Sequence, residues 1–136
     1  MKYISFIFFI ISITLYSSAT IADNLIYCKS KLAAGFMKHN GSWEAMLFEK
    51  DKFKLKFKSN YSKLEGFPWM RNSMFCSKPF SHKPNLIFCV NSSGSHEVFI
   101  YNKITRRFTF SNISSDGYTY DGIDTDQIYA GICEKL

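Results

Sequence analysis

The sequence predicts an all-β fold: a small antiparallel β-barrel, or alternatively a sandwich, of about eight strands with two disulfide bonds. Short runs with a two-residue period are separated by turn residues, and no window of about 12 or more residues holds a convincing helical period. The chain has 136 residues, four cysteines and a composition that is 46% hydrophobic and 18% aromatic. These values exclude a disordered chain, a collagen and a multidomain enzyme.

Residues 1–22 are predicted to be a secretory signal peptide that is removed from the mature protein. Lys2 provides a positive start, an apolar run follows, and the small residues Thr20 and Ala22 precede a cleavage site before Asp23. The apolar run of about 14 residues is shorter than the roughly 20 that a membrane-spanning helix needs. We therefore expect no membrane span and an exported protein, periplasmic or secreted, whose residues 23–136 form a single β-rich domain.

The four cysteines are expected to form two disulfides, since export makes an oxidising compartment available. Of the three possible pairings, we expect Cys28 with Cys133, near the ends of the mature domain, and Cys76 with Cys89, which flank a proline-containing loop. Closing the longer loop would remove chain entropy worth about 4 to 5 kcal/mol. Zinc is the alternative, but the chain has no Cys-x-x-Cys and only His82 lies near a cysteine pair. We expect no metal and no cofactor.

The first three predicted strands cover residues 25–30, 43–48 and 52–58. The dipeptide Asn40-Gly41 tolerates positive φ and marks a hairpin turn before the second strand. Residues 42–49 also fit a short helix that Ser42 would cap. A strand is preferred there, because residues 49–51 then form a turn into the strongly alternating third strand.

Six further strands are predicted in the rest of the chain, at residues 74–77, 86–90, 97–101, 107–112, 117–121 and 128–133. A polar loop at residues 91–95, the link at residues 102–105 and the dipeptide Asp121-Gly122 separate the later strands. The sequence contains no internal repeat or linker, so we expect one domain. A strand near the mature N-terminus tied to a C-terminal one favours the closed barrel, since closure removes sheet edges.

The most unusual feature is the alternating segment at residues 50–58, in a chain whose formal net charge is +6. In a strand, Phe53, Leu55 and Phe57 would face the core, and the other face would carry five lysines: Lys50, Lys52, Lys54, Lys56 and Lys58. Neighbouring ammonium groups would lie about 6 to 7 Å apart, within the ~8 Å screening length at physiological salt. These lysines are the candidate binding residues, because an anionic polymer or lipid surface would relieve their repulsion. The alternative is that they only keep the sheet soluble and block strand addition.

Two other functions compete with anion binding. A closed barrel could carry a small apolar ligand, although short strands leave an interior that side chains can fill. A secreted hydrolase or nuclease could use His39, His82 and His96 for proton transfer. Each histidine lies in a predicted loop, where surface histidines are common, so we expect no catalytic residue and no enzyme.

Two further clusters have simpler explanations than a functional site. Four carboxylates near the C-terminus invite a calcium hypothesis, but their spacing does not match an EF-hand loop: Asp116, Asp121, Asp124 and Asp126. Aspartate also favours turns through local hydrogen bonds. The segment Phe67-Pro68-Trp69, in a predicted loop, is the best candidate for an exposed aromatic platform.

The pattern resembles a loose group of small exported bacterial proteins without an assigned function. The residues that carry this resemblance are Cys28, Gly35-Phe36, Gly41-Ser42-Trp43, Phe48, Phe53, Phe88-Cys89, Phe99, Asn102-Lys103, Thr105, Arg107-Phe108, Gly117-Tyr118 and Gly131-Ile132-Cys133. The resemblance covers most of the mature chain and implies a periplasmic or secreted location and a single disulfide-bearing domain. It implies no catalytic or binding residue.

Overall fold

The computed structural model describes residues 23–58, 60–68, 70, 72–91, 96–113 and 125–136. Nine strands lie in these ranges and all of their pairings are antiparallel: β1 (Asn24–His39), β2 (Ser42–Leu47), β3 (Lys52–Lys58), β4 (Lys63–Glu65), β5 (Met74–Ser77), β6 (Leu86–Asn91), β7 (His96–Asn102), β8 (Arg107–Ile113) and β9 (Thr125–Lys135). Within the same ranges, no helix is long and apolar enough to cross a membrane.

Eight of these strands form a closed barrel, and β2 is an additional strand beside it. The order β3-β4-β5-β6-β7-β8-β9 is closed by β1, which pairs with β9 along one edge. On its other edge β1 pairs with β3 at residues 24–29 and with β2 at residues 34–39. The predicted all-β barrel is therefore confirmed, and the sandwich alternative is not adopted.

The last strand is longer than the predicted 128–133 at both ends, and the observed strands differ from the predicted ones at two further places. The first strand extends to His39, beyond its predicted end at residue 30. The prediction ended there because a β-bulge between Ser30 and Leu32 shifts the alternation of buried and exposed residues, which interrupts the two-residue period. The short β4 was not predicted, since its three residues contain a single buried side chain, Leu64. The predicted strand at residues 117–121 lies outside the described residues.

Aromatic rings fill the interior of the barrel. Phe53, near its centre, lies 5.3 Å from Phe67 and 5.9 Å from Tyr129 between ring centroids, and Phe67 stacks on Phe110 at 4.7 Å. The largest fully buried side chains are Phe53, Phe57, Phe99, Phe110, Leu55, Leu64, Met74 and Ile87. A ligand enclosed in the barrel would need the space that these side chains occupy.

One aromatic prediction was wrong. Phe67 is not part of an exposed platform, because it is only 4% exposed and packs among the core rings. Its neighbour Trp69 lies outside the described residues. Loop position therefore did not imply exposure, since the chain after β4 turns inward and covers one side of the ring cluster.

Both predicted disulfides are confirmed. Cys28 of β1 is bonded to Cys133 of β9 across the pair of strands that closes the barrel, at a sequence separation of 105 residues. Cys76 of β5 is bonded to Cys89 of β6 across a neighbouring hairpin, at a separation of 13 residues. No cysteine is free. Two structural disulfides indicate an oxidising environment.

Candidate functional site

The lysines of β3 face outward, as the alternation predicts. Phe53, Leu55 and Phe57 are 0%, 0% and 1% exposed, whereas the four lysines of the strand lie on the outer wall: Lys52, Lys54, Lys56 and Lys58. Lys50 is exposed in the connection that enters β3. The structure thus places all five predicted binding residues on the outside of the barrel.

The two ends of this lysine row have different electrostatic surroundings. The Lys56 ammonium lies 2.6 Å from a carboxylate oxygen of Asp23, and the Lys58 ammonium lies 2.8 Å from one of Glu65. The hydrogen bond and the charge of Asp23 raise the pKa of Lys56 above its ordinary 10.5. Within the described ranges, no carboxylate lies within 4.0 Å of the ammonium of Lys52 or Lys54. The unneutralised charge of the row is therefore at its Lys52 end.

Neighbouring strands add further cations at that end. Lys29 of β1 is the direct cross-strand partner of Lys52, and on its other side it pairs with Ile132 of β9. Ile132 pairs in turn with Arg107 of β8. Four adjacent strands therefore carry Lys52, Lys29, Ile132 and Arg107 in one transverse row. With strands spaced about 4.8 Å apart, the Cα atoms of Lys29 and Arg107 are about 10 Å apart.

The β-bulge of β1 turns two consecutive side chains outward. Ser30 is 1% exposed and Ala33 is 5% exposed, while Lys31 and Leu32 between them are both exposed. The Ser30 hydroxyl holds the bulge against the connection before β3: it donates to the Asp51 carbonyl oxygen at 3.0 Å and accepts from the Asp51 N–H at 2.6 Å. A cation and an apolar side chain thus stand side by side on the outer wall.

We define the cationic surface as Lys29, Lys31, Lys52, Lys54 and Arg107. Sequence reasoning missed Lys29 and Lys31, although their spacing around Ser30 repeats the alternation seen in β3. It also missed Arg107, which joins the surface only because β9 pairs with both β1 and β8. Two carboxylates lie at its margin. The Asp51 Oδ1 accepts from the Lys52 N–H at 2.7 Å. Glu134 of β9 lines a small groove of about 180 Å³ with Lys29 and Lys31.

A mainly apolar groove adjoins the cationic surface. Its volume is about 640 Å³, and its apolar lining consists of Leu32, Leu86, Ile100, Phe108, Ala130 and Ile132. Lys31 and Arg107 of the cationic surface line the same groove. A second groove of about 570 Å³, over β2, β1 and β9, shares Leu32 and Ala130 with it. The outer wall therefore combines exposed apolar side chains with cations.

The three histidines lie on different elements. His39 ends β1, His82 lies in the connection that enters β6, and His96 begins β7 after the connection that leaves β6. Since a six-residue strand is about 17 to 20 Å long, His82 and His96 lie toward opposite ends of the barrel. Among the described residues, no group of three or more histidines, cysteines or carboxylates could hold a metal ion. Asp116, Asp121 and Asp124 lie outside those residues.

Compared with models of protein families, with curated proteins and with solved structures, the chain has no match. The function is therefore inferred from the barrel wall itself.

Proposed function

We propose that this chain is an exported binding protein, without catalytic activity, that holds an anionic partner on its cationic surface. The observation that carries the proposal is the pairing of Lys29 with Lys52, two exposed lysines directly opposite each other across two hydrogen-bonded strands. Like charges at directly opposed positions destabilise a sheet, by an amount comparable to the roughly 0.2 to 1 kcal/mol that favourable cross-strand pairs contribute. An anion bound between them would attract both ammonium groups and make the net electrostatic energy of the site favourable.

The paired lysines of the same strand support this reading. Lys56 and Lys58 each have a carboxylate partner within the chain, so part of the β3 row is already neutralised. Lys52, Lys54 and their neighbours Lys29 and Lys31 have none among the described residues. A protein that required lysines only for solubility would gain stability by neutralising this end too.

The position of Lys29 in the barrel also supports binding over edge protection. Lysines protect an edge strand because its free N–H and C=O groups would otherwise pair with another chain. At Lys29, β1 is paired on both sides, with Lys52 of β3 and with Ile132 of β9, so its backbone there is not open to strand addition. β4, in contrast, pairs with β3 only at residues 56–58. Edge protection therefore does not explain Lys29, which remains to be explained by what it contacts in solution.

Export is part of the proposal. The predicted signal peptide at residues 1–22 and the two disulfides both suit an oxidising compartment, either the periplasm or the outside of the cell. Anionic polymers and anionic lipid surfaces are both accessible there. A protein with an excess of basic residues would approach either of them with electrostatic steering.

The test measures the salt concentration at which the oxidised protein leaves immobilised heparin, used as a polyanionic probe. The variant Lys52→Gln/Lys54→Gln removes two charges from the cationic surface. The control Lys78→Gln/Lys83→Gln removes two charges from exposed positions in the connection between β5 and β6. Both variants have the same net charge, so any difference between their elution salt concentrations depends on where the removed charges lie.

We expect Lys52→Gln/Lys54→Gln to elute at clearly lower salt than the wild type, and the control to elute close to the wild type. The proposal is wrong if the first variant elutes with the wild type. It is also wrong if both variants shift equally, since the retention would then reflect net charge alone.

A further inference from the structure

We infer that the anionic partner is a monomeric amphiphile, whose charged headgroup lies on the cationic surface and whose hydrocarbon chain lies in the adjoining 640 Å³ groove. This inference rests on the proposed function and names the chemical class of its ligand. It follows from the side chains that the β-bulge of β1 places next to one another.

The groove has the size and lining of a small-ligand site. Such sites typically measure about 300 to 1,000 Å³ and have mainly apolar walls with a few polar groups. Leu32 is 69% exposed and Ile132 is 36% exposed, so the groove opens to solvent with large apolar side chains uncovered. Water is a poor solvent for such a wall, whereas a hydrocarbon chain would cover it.

Charge and apolar surface meet at two residues. Lys31 and Arg107 belong to the cationic surface and also line the groove. Ile132, which also lines the groove, lies between Lys29 and Arg107 and pairs with each of them. A headgroup contacting Lys29, Lys31 or Arg107 would therefore have its chain directed along an apolar floor. A fully hydrophilic polyanion would leave that floor exposed.

Self-association is a poorer explanation of the apolar wall. A second copy seated on the groove would bring its own Lys31 and Arg107 close to those of the first, together with the neighbouring lysines. The described part of this wall offers Glu134 as a counter-charge, at the margin of the cationic surface. The charge of the wall therefore complements an anionic headgroup better than a second cationic copy.

The first experiment compares three probes by isothermal titration calorimetry with the oxidised protein. Dodecyl phosphate, below its critical micelle concentration, has both the anionic headgroup and the chain. Glycerol 3-phosphate has only the headgroup chemistry, and dodecyl maltoside has the chain with a neutral headgroup. We expect dodecyl phosphate to bind at least about tenfold more tightly than either partial probe, because only it gains from both surfaces. Equal affinity for dodecyl phosphate and glycerol 3-phosphate would overturn the inference.

The second experiment changes the groove without touching the core. Leu32→Gln replaces an exposed apolar side chain of the groove, and Ile104→Gln replaces one that is 71% exposed in the turn after β7 and does not line the groove. We expect Leu32→Gln to weaken dodecyl phosphate binding about tenfold and Ile104→Gln to leave it unchanged. Neither variant should change elution from heparin.

The outcomes separate this inference from the proposed function. If Leu32→Gln binds dodecyl phosphate like the wild type while Lys52→Gln/Lys54→Gln still loses heparin affinity, the groove inference fails and anion binding stands. If the lysine variant binds both probes like the wild type, the proposed function fails. Binding to phosphatidylglycerol vesicles without any binding of monomeric dodecyl phosphate would indicate a membrane surface and overturn the inference. So would a wild-type dimer that Leu32→Gln converts to a monomer in sedimentation velocity.

Discussion

Lys29 of β1 and Lys52 of β3 lie directly opposite each other on the outer wall of the barrel. Further along the same strand, Lys56 is held by Asp23 and Lys58 by Glu65. One strand thus combines two lysines that form ion pairs with a lysine that lies opposite another cation. We therefore expect the Lys29–Lys52 pair to lower the stability of the free protein while favouring the binding of an anion.

The first prediction is a repulsive coupling between these two lysines. Lys29→Gln and Lys52→Gln should each raise the free energy of unfolding, by roughly 0.2 to 1 kcal/mol, because each removes the like-charge contact. The double variant should gain less than the two single gains together, since the contact can be removed only once. Urea unfolding at low salt measures all four proteins of this cycle.

High salt provides the control for this cycle. At 1 M salt the screening length falls to about 3 Å, so the coupling between Lys29 and Lys52 should largely vanish. A parallel cycle with Lys29→Gln and Lys78→Gln should be additive at both salt concentrations, because Lys78 lies beyond β5. Additive gains for Lys29 and Lys52 at low salt would show that the two ammonium groups do not repel each other.

The second prediction concerns the two disulfides. Replacing Cys28 and Cys133 by alanine frees a 105-residue loop, whereas replacing Cys76 and Cys89 frees one of 13 residues. Loop entropy assigns about 4.7 kcal/mol to the first bond and about 3 kcal/mol to the second. We expect the Cys28→Ala/Cys133→Ala variant to have the lower free energy of unfolding in urea. The opposite order would mean that strand contacts, and not chain entropy, determine the contribution of each bond.

Much of the barrel could be predicted because its signals are local. The alternation from Lys52 to Lys58 depends only on the two faces of one strand, and burial of Phe53, Leu55 and Phe57 confirms it. The pairing of Cys28 with Cys133 could be predicted because these two cysteines lie near the ends of the mature domain, while the other two flank a short loop. The paired lysines could not be predicted, because Asp23 and Glu65 belong to other parts of the chain.

Only part of the candidate site could be predicted, because its other residues lie on strands that are distant in the sequence. Arg107 belongs to the cationic surface because β9 lies between β1 and β8 in the sheet. The spacing of residues in the sequence does not indicate this order of strands. The bulge at Lys31 and Leu32 could not be predicted either, because in the sequence an interrupted alternation looks the same as the end of a strand. The apolar groove depends on both of these features, so anion binding could be hypothesised from sequence but an amphiphile could not.

The third prediction tests the close approach of β1 and β9 at the bulge. A Cβ added at Gly131 would overlap the Lys29 carbonyl oxygen and lie 2.8 Å from the Ser30 Cα, and neither backbone group can move without shifting the bulge. We expect Gly131→Ala to lower the free energy of unfolding by about 1 to 3 kcal/mol, the range for overpacked sites. Urea unfolding measures the loss, and amide exchange should increase in β1 and β9.

Gly41 is the comparison for Gly131. Its added Cβ would meet nothing within 4 Å, but its φ of +83° strains an L-residue in the turn between β1 and β2. Gly41→Ala should therefore increase amide exchange only in that turn and the adjoining β2. If Gly131→Ala leaves exchange in β1 and β9 unchanged, the close contact at the bulge does not hold these strands in place.

Tyr101 of β7 is a buried ionisable group next to the ring cluster. It is 6% exposed, and its ring centroid lies 5.6 Å from that of Phe57. Burial raises the pKa of Tyr101 above its ordinary 10.0, and nearby Tyr61 acts in the same direction. The folded protein therefore retains the phenolic proton at a pH where the unfolded chain has begun to release it.

The last prediction is that Tyr101→Phe reduces the loss of stability at alkaline pH. A raised pKa in the folded state contributes stability that is fully present below the unfolded pKa of about 10 and is lost as pH rises through the folded pKa. Phenylalanine cannot ionise, so the difference in free energy of unfolding between the two proteins should be constant below about pH 9 and should then shift in favour of the variant. Rapid urea unfolding at intervals from pH 7 to pH 11 measures it. Parallel curves across that range would mean that Tyr101 ionises equally easily in both states, and that its burial does not oppose the phenolate.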